Sequence, residues 1–317
     1  MATPRSRLVD DQVPMFYHLV SKCVQGAWLC GIHPHTRIDY SHRKQWIIDR
    51  IGHLAQYFAV EVAAYAIMAN HFHLVVYFDP NACQGWSDKE VARRWVDAFP
   101  PKHEGVVDES LQTWQFECLL DDEQALAAAR RKLGSLSCFV QHLKQPIAWR
   151  ANREAGCDGD YWANRFYSGA LLTEEAVLAA MAYVDLNPVR AQIAQTIEAC
   201  DNTSVQERLK RLESTPERLS QIMEPIVSGL TQPDQQQGPM QARVCITLED
   251  YLTHLRAIVV SQNTQAHSQT TGSTKAQLWI SMVAAIRRKQ RAYGTRQALA
   301  HWIEKRGMRS LEQALPE

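Results

Sequence analysis

The chain has 317 residues, with 34 basic and 34 acidic side chains, a formal net charge of zero, 46% hydrophobic and 21% charged residues. That balance excludes a disordered or fibrous chain, and it excludes a protein that holds nucleic acid by a global basic excess; such a partner has to be met by segregated charge. No apolar run approaches the roughly 20 residues of a membrane span, and the eight cysteines, at 23, 30, 83, 118, 138, 157, 200 and 245, contain no Cys-x-x-Cys, so neither a zinc knuckle nor a redox pair is indicated and free thiols are expected.

The first residues, Met1 to Asp11, lack the apolar core of a secretory signal, so the expected location is the cytoplasm, with no membrane partner. Phe16 to Cys23 reads as a first strand. Ser41 is a candidate cap for a helix from about His42 to Phe58, in which Trp46, Ile47, Ile51, Leu54 and Phe58 fall at helical spacing. Val60 to Met68 reads as a second strand, and Met68-Ala69-Asn70 as a tight reversal into a third. Ser87 is expected to cap a helix Asp88 to Ala98, residues 102–114 read as irregular, and helices are expected over Glu123 to Leu133 and Ser135 to Glu154. Tyr161 to Leu172 supplies a fourth strand and Glu174 to Asn187 a helix capped by Thr173. Further helices are expected over Glu207 to Leu212, Pro216 to Met223, Thr247 to about Val260, Lys275 to Arg291 and Thr295 to Lys305, with polar linkers near 229–242 and 261–274.

The chemistry-bearing residues lie on the third strand and on the helix from Glu174. In His71-Phe72-His73-Leu74-Val75-Val76-Tyr77-Phe78 side chains alternate, so His71 and His73 share one face while Phe72, Leu74, Val76 and Phe78 take the other, which reads as core. Two imidazoles on a rigid strand suit one divalent metal; they equally suit the exposed face of a half-buried strand. Tyr183 and Asn187 are four apart and share a helix face, and Pro188 is expected to end the helix at Asn187. Asn187 reads either as a further metal ligand, through its amide oxygen, or as a residue that caps the helix end. His18, Tyr65 and Tyr77 read as structural.

Met68 to Leu74, with Ala182-Tyr183-Val184-Asp185-Leu186-Asn187-Pro188-Val189-Arg190-Ala191 and the intervening Tyr161-Trp162-Ala163-Asn164-Arg165-Phe166, resembles the single-tyrosine HUH transposases, and among them the REP-associated tyrosine transposases of bacteria. The likeness runs from about residue 16 to about 191. It implies an α+β chain: a ferredoxin-like βαββαβ catalytic domain over residues 1–200 with a helical insertion at about 80–155, and a helical C-terminal extension over 201–317. It also implies a transposase, or single-strand DNA endonuclease and strand transferase. Tyr183 would be the nucleophile, forming a 5′-phosphotyrosine, with His71, His73 and Asn187 holding Mg2+ or Mn2+. The implied partner is DNA, as a single-stranded hairpin or palindromic repeat, and a homodimer is compatible. The alternative is a DNA-binding regulator descended from such an enzyme that has lost cleavage.

Charge does segregate along the chain. Residues 130–168 carry seven basic against three acidic side chains and include the candidate DNA contacts Arg150, Arg153 and Arg165. Arg165 and Arg190 read as phosphate contacts or as partners of Asp160 and Asp185. Residues 287–309 carry eight basic against one acidic, with Trp279, Tyr293 and Trp302 nearby. Placed beyond two polar linkers, this segment is expected to act as a tethered basic module; the rival expectation is that it docks and buries its tryptophans.

Overall fold

The computed structural model describes residues 8–24, 30–33, 36–163, 165–230, 244–264, 274–308 and 313–316. In chain order the elements are β1 (Met15–Lys22), α1 (Arg43–Ala55), β2 (Val60–Ile67), β3 (His71–Phe78), α2 (Ala82–Gly85), α3 (Asp88–Ala98), β4 (Lys102–His103), β5 (Val106–Val107), α4 (Glu109–Asp121), α5 (Glu123–Leu133) and α6 (Leu136–Ala155). There follow β6 (Tyr167–Leu171), α7 (Glu174–Asp185), the short α8 (Asn187–Arg190), α9 (Ser204–Ser214), a 3-10 turn Pro216–Ser220, β7 (Val227–Ser228), α10 (Leu248–Thr264), α11 (Thr274–Ile286), β8 (Ala292–Tyr293) and α12 (Arg296–Lys305). The fold is α+β, and no helix among the described residues is long and apolar enough to cross a membrane.

Six strands make one sheet in the order β7-β2-β3-β1-β6-β8. All neighbours are antiparallel except β6 and β8. The β2–β3 reversal closes through the Met68 N–H, which donates to the His71 carbonyl at 2.8 Å. The central strands are buried on both faces. Phe72, Leu74, Val76 and Phe78 join a core with Ile47, Ile51 and Leu54 of α1 and with Leu143 and Ile147 of α6. Val75 and Tyr77, pointing the other way, pack with Val177, Ala180 and Val184 of α7 and with α10 and α11. The histidine face is therefore roofed by helices, and two-sided burial is why β2 is apolar on both faces apart from Glu61, which accepts from the Ser228 hydroxyl at 2.8 Å.

Several expectations need correction. Ser41 does not cap α1: His42 holds that position without a side-chain bond, and the Ser41 N–H donates to Asp39 at 2.8 Å. Residues 102–114 are not irregular; they form the β4–β5 hairpin and the start of α4, capped by Asp108, which accepts from the Leu111 N–H at 2.9 Å. The helix Glu174 onward stops at Asp185, and Pro188 sits in the first turn of a new helical segment, where its missing N–H costs nothing. The segment from Pro216 is a 3-10 turn that ends at Ser220. Of the expected linkers, 231–243 and 265–273 lie outside the described residues, and 261–264 continue α10.

The largest correction concerns the region past residue 200. It supplies both edges of the sheet: β7 pairs with β2, and β8 with β6. Tyr293 is fully buried and Trp302 is 4% exposed, so the basic segment docks on the sheet rather than hanging from a tether. Apolar side chains of that size are stabilised by roughly 1.5–3 kcal/mol each on burial, which outweighs the freedom of a loose module.

Candidate active site

β3 presents His71 and His73 on one face, as the alternation requires, with ring centroids 4.9 Å apart. α7 crosses that face. Its start is fixed by Thr173, whose hydroxyl accepts from the Ala176 N–H at 3.3 Å, and by Glu174 and Glu175 at the positive end of its dipole. The crossing brings the Tyr183 ring to 5.6 Å from that of His73. One turn on, the Asn187 amide reaches His73 Nε2 at 3.3 Å. The guanidinium of Arg190 lies 4.5 Å above the Tyr183 ring centroid. Residues far apart in the chain thus converge on one spot.

β1 adds residues that the strand pattern alone does not flag. His18 stacks on His73 with centroids 5.2 Å apart, contacts Tyr183 edge-on at 5.7 Å, and joins its Nε2 to His73 Nδ1 at 2.9 Å. Asn70, in the reversal, accepts from His71 Nδ1 at 2.6 Å. Each histidine of the pair therefore has its Nδ1 engaged, and His73 aims its Nε2 at the Asn187 amide. With the proton on His73 Nδ1, its Nε2 accepts from the Asn187 amide N–H.

No group of three or more histidine, cysteine, aspartate or glutamate side chains among the described residues is arranged to hold a metal ion. A site here has to be completed by an amide. The atom 3.3 Å from His73 Nε2 is the Asn187 amide nitrogen, and a half-turn of the amide puts its oxygen there instead. Ligands at right angles around an ion with bonds of about 2.1 Å stand about 3.0 Å apart, so the turned amide would suit two neighbouring ligands. Imidazoles anchored through Nδ1 are the arrangement that orients metal-binding histidines. With the amide turned, two imidazoles and an amide oxygen would be donors of the kind a divalent ion takes.

No family model matches the chain, and no curated protein matches it. Among solved structures it is similar to one described as a REP-associated tyrosine transposase bound to a REP hairpin, at 11% identity and a TM-score of 0.33, over 67% of this chain and 87% of that chain. Agreement that loose decides neither fold nor function, and the residues of this chain have to carry the reading.

The four arginines do not gather. Arg190 is at the site. Arg165 is exposed on the approach to β6, in a groove lined by Lys144, Trp149, Trp162 and Phe166. Arg150, over the Trp46 ring at 3.7 Å, and the exposed Arg153 sit on α6, which covers the opposite face of the sheet. Asp185 does not pair with Arg190; it turns away into the core, where it accepts from Tyr251 and the Val205 N–H.

Burial keeps the site imidazoles neutral. It pushes His71 down to about 4, with Lys22 and Lys289 adding to the effect, and His18 down to about 3, with Lys289 adding. His73 is likewise held well below its usual range, first by burial and then by its histidine neighbours. A histidine whose native pKa lies below the unfolded value of 6.5 stabilises the fold fully above that pH, and the stabilisation is lost as pH falls through the native value. The urea midpoint is therefore expected to fall steadily from about pH 6.5 to about pH 4, with several kcal/mol lost. His71→Asn, with one titrating group fewer, should lose less over the same window. A midpoint constant between pH 7 and pH 4 would contradict this account.

Proposed function

We propose that this chain is a DNA strand transferase or single-strand endonuclease that works through a tyrosine, as its resemblance to the single-tyrosine HUH transposases implies. The observation that carries the reading is the meeting of Tyr183, Asn187 and the two histidines of β3 on one face of the sheet. The antiparallel order β2-β3-β1-β6, with α1 between β1 and β2, supports taking the core as a ferredoxin-like βαββαβ unit.

In this reading Tyr183 Oη attacks the phosphorus of a DNA phosphodiester. The phosphorus–O3′ bond breaks, the 3′ oxygen takes up a proton, the phenol gives one up, and a 5′-phosphotyrosine remains. Because the new ester keeps the bond energy, the 3′-hydroxyl can reverse the step, so a strand is cut and rejoined without ATP. His71, His73 and Asn187 would hold Mg2+ or Mn2+, which when bound polarises the phosphate and stabilises charge on its oxygens. His18 orients His73 through the Nδ1 contact, and Arg190 brings a positive charge beside the tyrosine ring.

The test is a labelled single-stranded hairpin incubated with the full chain and Mn2+. A covalent adduct on a denaturing gel is expected, absent with Tyr183→Phe although that variant binds DNA nearly as tightly, since only one oxygen is lost. An adduct that survives the substitution would assign the nucleophile elsewhere. Binding by the wild type without any adduct would favour a regulator that has lost cleavage.

A further inference from the structure

Two lysines reach the histidine site from widely separated parts of the chain. Lys22, the last residue of β1, is paired directly with His71 across the β1–β3 ladder. Partners in a ladder project from the same face, so its exposed side chain leaves on the histidine side. Lys289 lies in the turn between α11 and β8. That turn is built onto the site: the Tyr167 hydroxyl donates to the Gln290 carbonyl and meets the Tyr293 hydroxyl at 2.8 Å, and the Gln290 N–H donates to Tyr293 Oη at 2.9 Å. Tyr167 in turn sits 5.9 Å from the His18 ring.

Gly169, opposite His18 in the β1–β6 ladder, makes room for this turn. A Cβ there would stand 2.9 Å from the Gln290 carbonyl and 2.7 Å from the Tyr293 ring. Lys289 itself has φ of +54°, a left-handed backbone that residues with a Cβ seldom adopt and that must be held by the surroundings.

Burial and then the neighbouring Lys22 ammonium hold Lys289 below its usual range, and both lysines oppose protonation of His71 and His73. Arg287, two residues before Lys289, acts on Arg190 above the tyrosine. None of the ion pairs among the described residues involves Lys22, Lys289, Arg190 or Arg287. Two adjacent cations with no carboxylate repel each other, and an anion placed between them removes the repulsion. A phosphodiester offers one charge and two non-bridging oxygens, one for each ammonium.

We propose that Lys22 and Lys289 together grip a nucleic-acid phosphodiester beside Tyr183, making the α11–β8 turn part of the site that handles DNA. The inference rests on the strand-transfer reading for the identity of the phosphate. It explains why a turn so far along the sequence is seated on the histidine face.

The experiment compares the full-length wild type with Lys22→Gln, Lys289→Gln and Lys289→Arg. Each Gln variant should bind a labelled single-stranded hairpin about tenfold more weakly near physiological salt. The slope of log affinity against log salt should become shallower by roughly 0.7–0.9 per lysine removed. Lys289→Arg should retain most of the binding. The melting temperature of the free protein should hold or rise in the Gln variants, because a like-charge contact has gone; a purely structural lysine would lower it.

Unchanged affinity and slope in both Gln variants, or weaker binding matched by a fall in melting temperature, would overturn the proposal. So would inorganic phosphate saturating the pair as tightly as the hairpin does, which would assign the seat to a free anion. Adduct formation is scored separately: lysine-dependent hairpin binding without an adduct would sink the strand-transfer chemistry and leave the phosphate grip standing. A wild-type adduct formed equally well by both Gln variants, with binding unchanged, would do the reverse.

Discussion

Deleting residues 275–317 should unfold the chain rather than release a DNA-binding module. The segment buries Met282, Val283, Ile286, Tyr293, Leu299 and Trp302 against the sheet and α7. At roughly 1.5–3 kcal/mol for each large apolar side chain, the loss, about 9–18 kcal/mol, is of the same size as the 5–15 kcal/mol that separates a typical folded domain from its unfolded state. The deletion also strips β8 from β6, freeing the bonds by which the Ala170 and Leu172 N–H groups donate to the Arg291 and Tyr293 carbonyls. Near-ultraviolet circular dichroism should be lost, with no cooperative melt. A truncated chain that melts cooperatively within a few degrees of the full one, and differs only in DNA affinity, would restore the tethered-module expectation.

Asp185→Ala should cost about 3–5 kcal/mol. Asp185 is fully buried two residues past Tyr183, where its carboxyl accepts from Ser204, from the Val205 N–H at 2.8 Å and from Tyr251 at 2.7 Å. Burial pushes this carboxyl up, and Arg208 and the three donors oppose that push. Arg208, 5% exposed, otherwise meets only backbone oxygens, donating to the Ala63 and Glu224 carbonyls at 3.0 Å. Truncation strands three donors and removes the main counter-charge of a buried guanidinium, leaving it the weaker pull of Glu207. Asp185→Asn, which keeps an acceptor, should fall between wild type and Ala. Because the carboxylate pins the end of α7 to α9 and α10, adduct formation should decline along with stability. A urea-derived change below about 1 kcal/mol would show the cluster to be dispensable.

The shared face of His71 and His73 and that of Tyr183 and Asn187 were legible from local periodicity, two residues per strand repeat and four for one helical turn; that the two pairs belong together was what the family resemblance implied. His18 was not, because its place beside His73 depends on the β1–β3 register, which pairs His18 with Val75 and sets the two imidazoles on a diagonal. Lys22 opposite His71 has the same origin. Lys289 is further from reach, since no spacing rule links a turn before β8 to β3. α4 was missed for another reason. It buries no residue, so it carries no apolar stripe, and only Asp108 signalled its start. The reading of residues 287–309 as a loose basic arm took account of charge and linker composition, but it gave too little weight to Tyr293 and Trp302, whose apolar bulk drew the segment onto the sheet.

The parallel pairing of β8 with β6 fixes a timetable for the nascent chain. Everything through Asn187 emerges from the ribosome while the outer edge of β6 still lacks its neighbour and the histidine face lacks α11. An open strand edge of that kind invites pairing with other chains, and a closure spanning so much sequence is slow. The newly made polypeptide thus passes through a stage in which the tyrosine and both β3 histidines exist but Lys289 does not. A protein that cuts strands would then gain its full grip on phosphate only after this later stretch has left the tunnel and folded back.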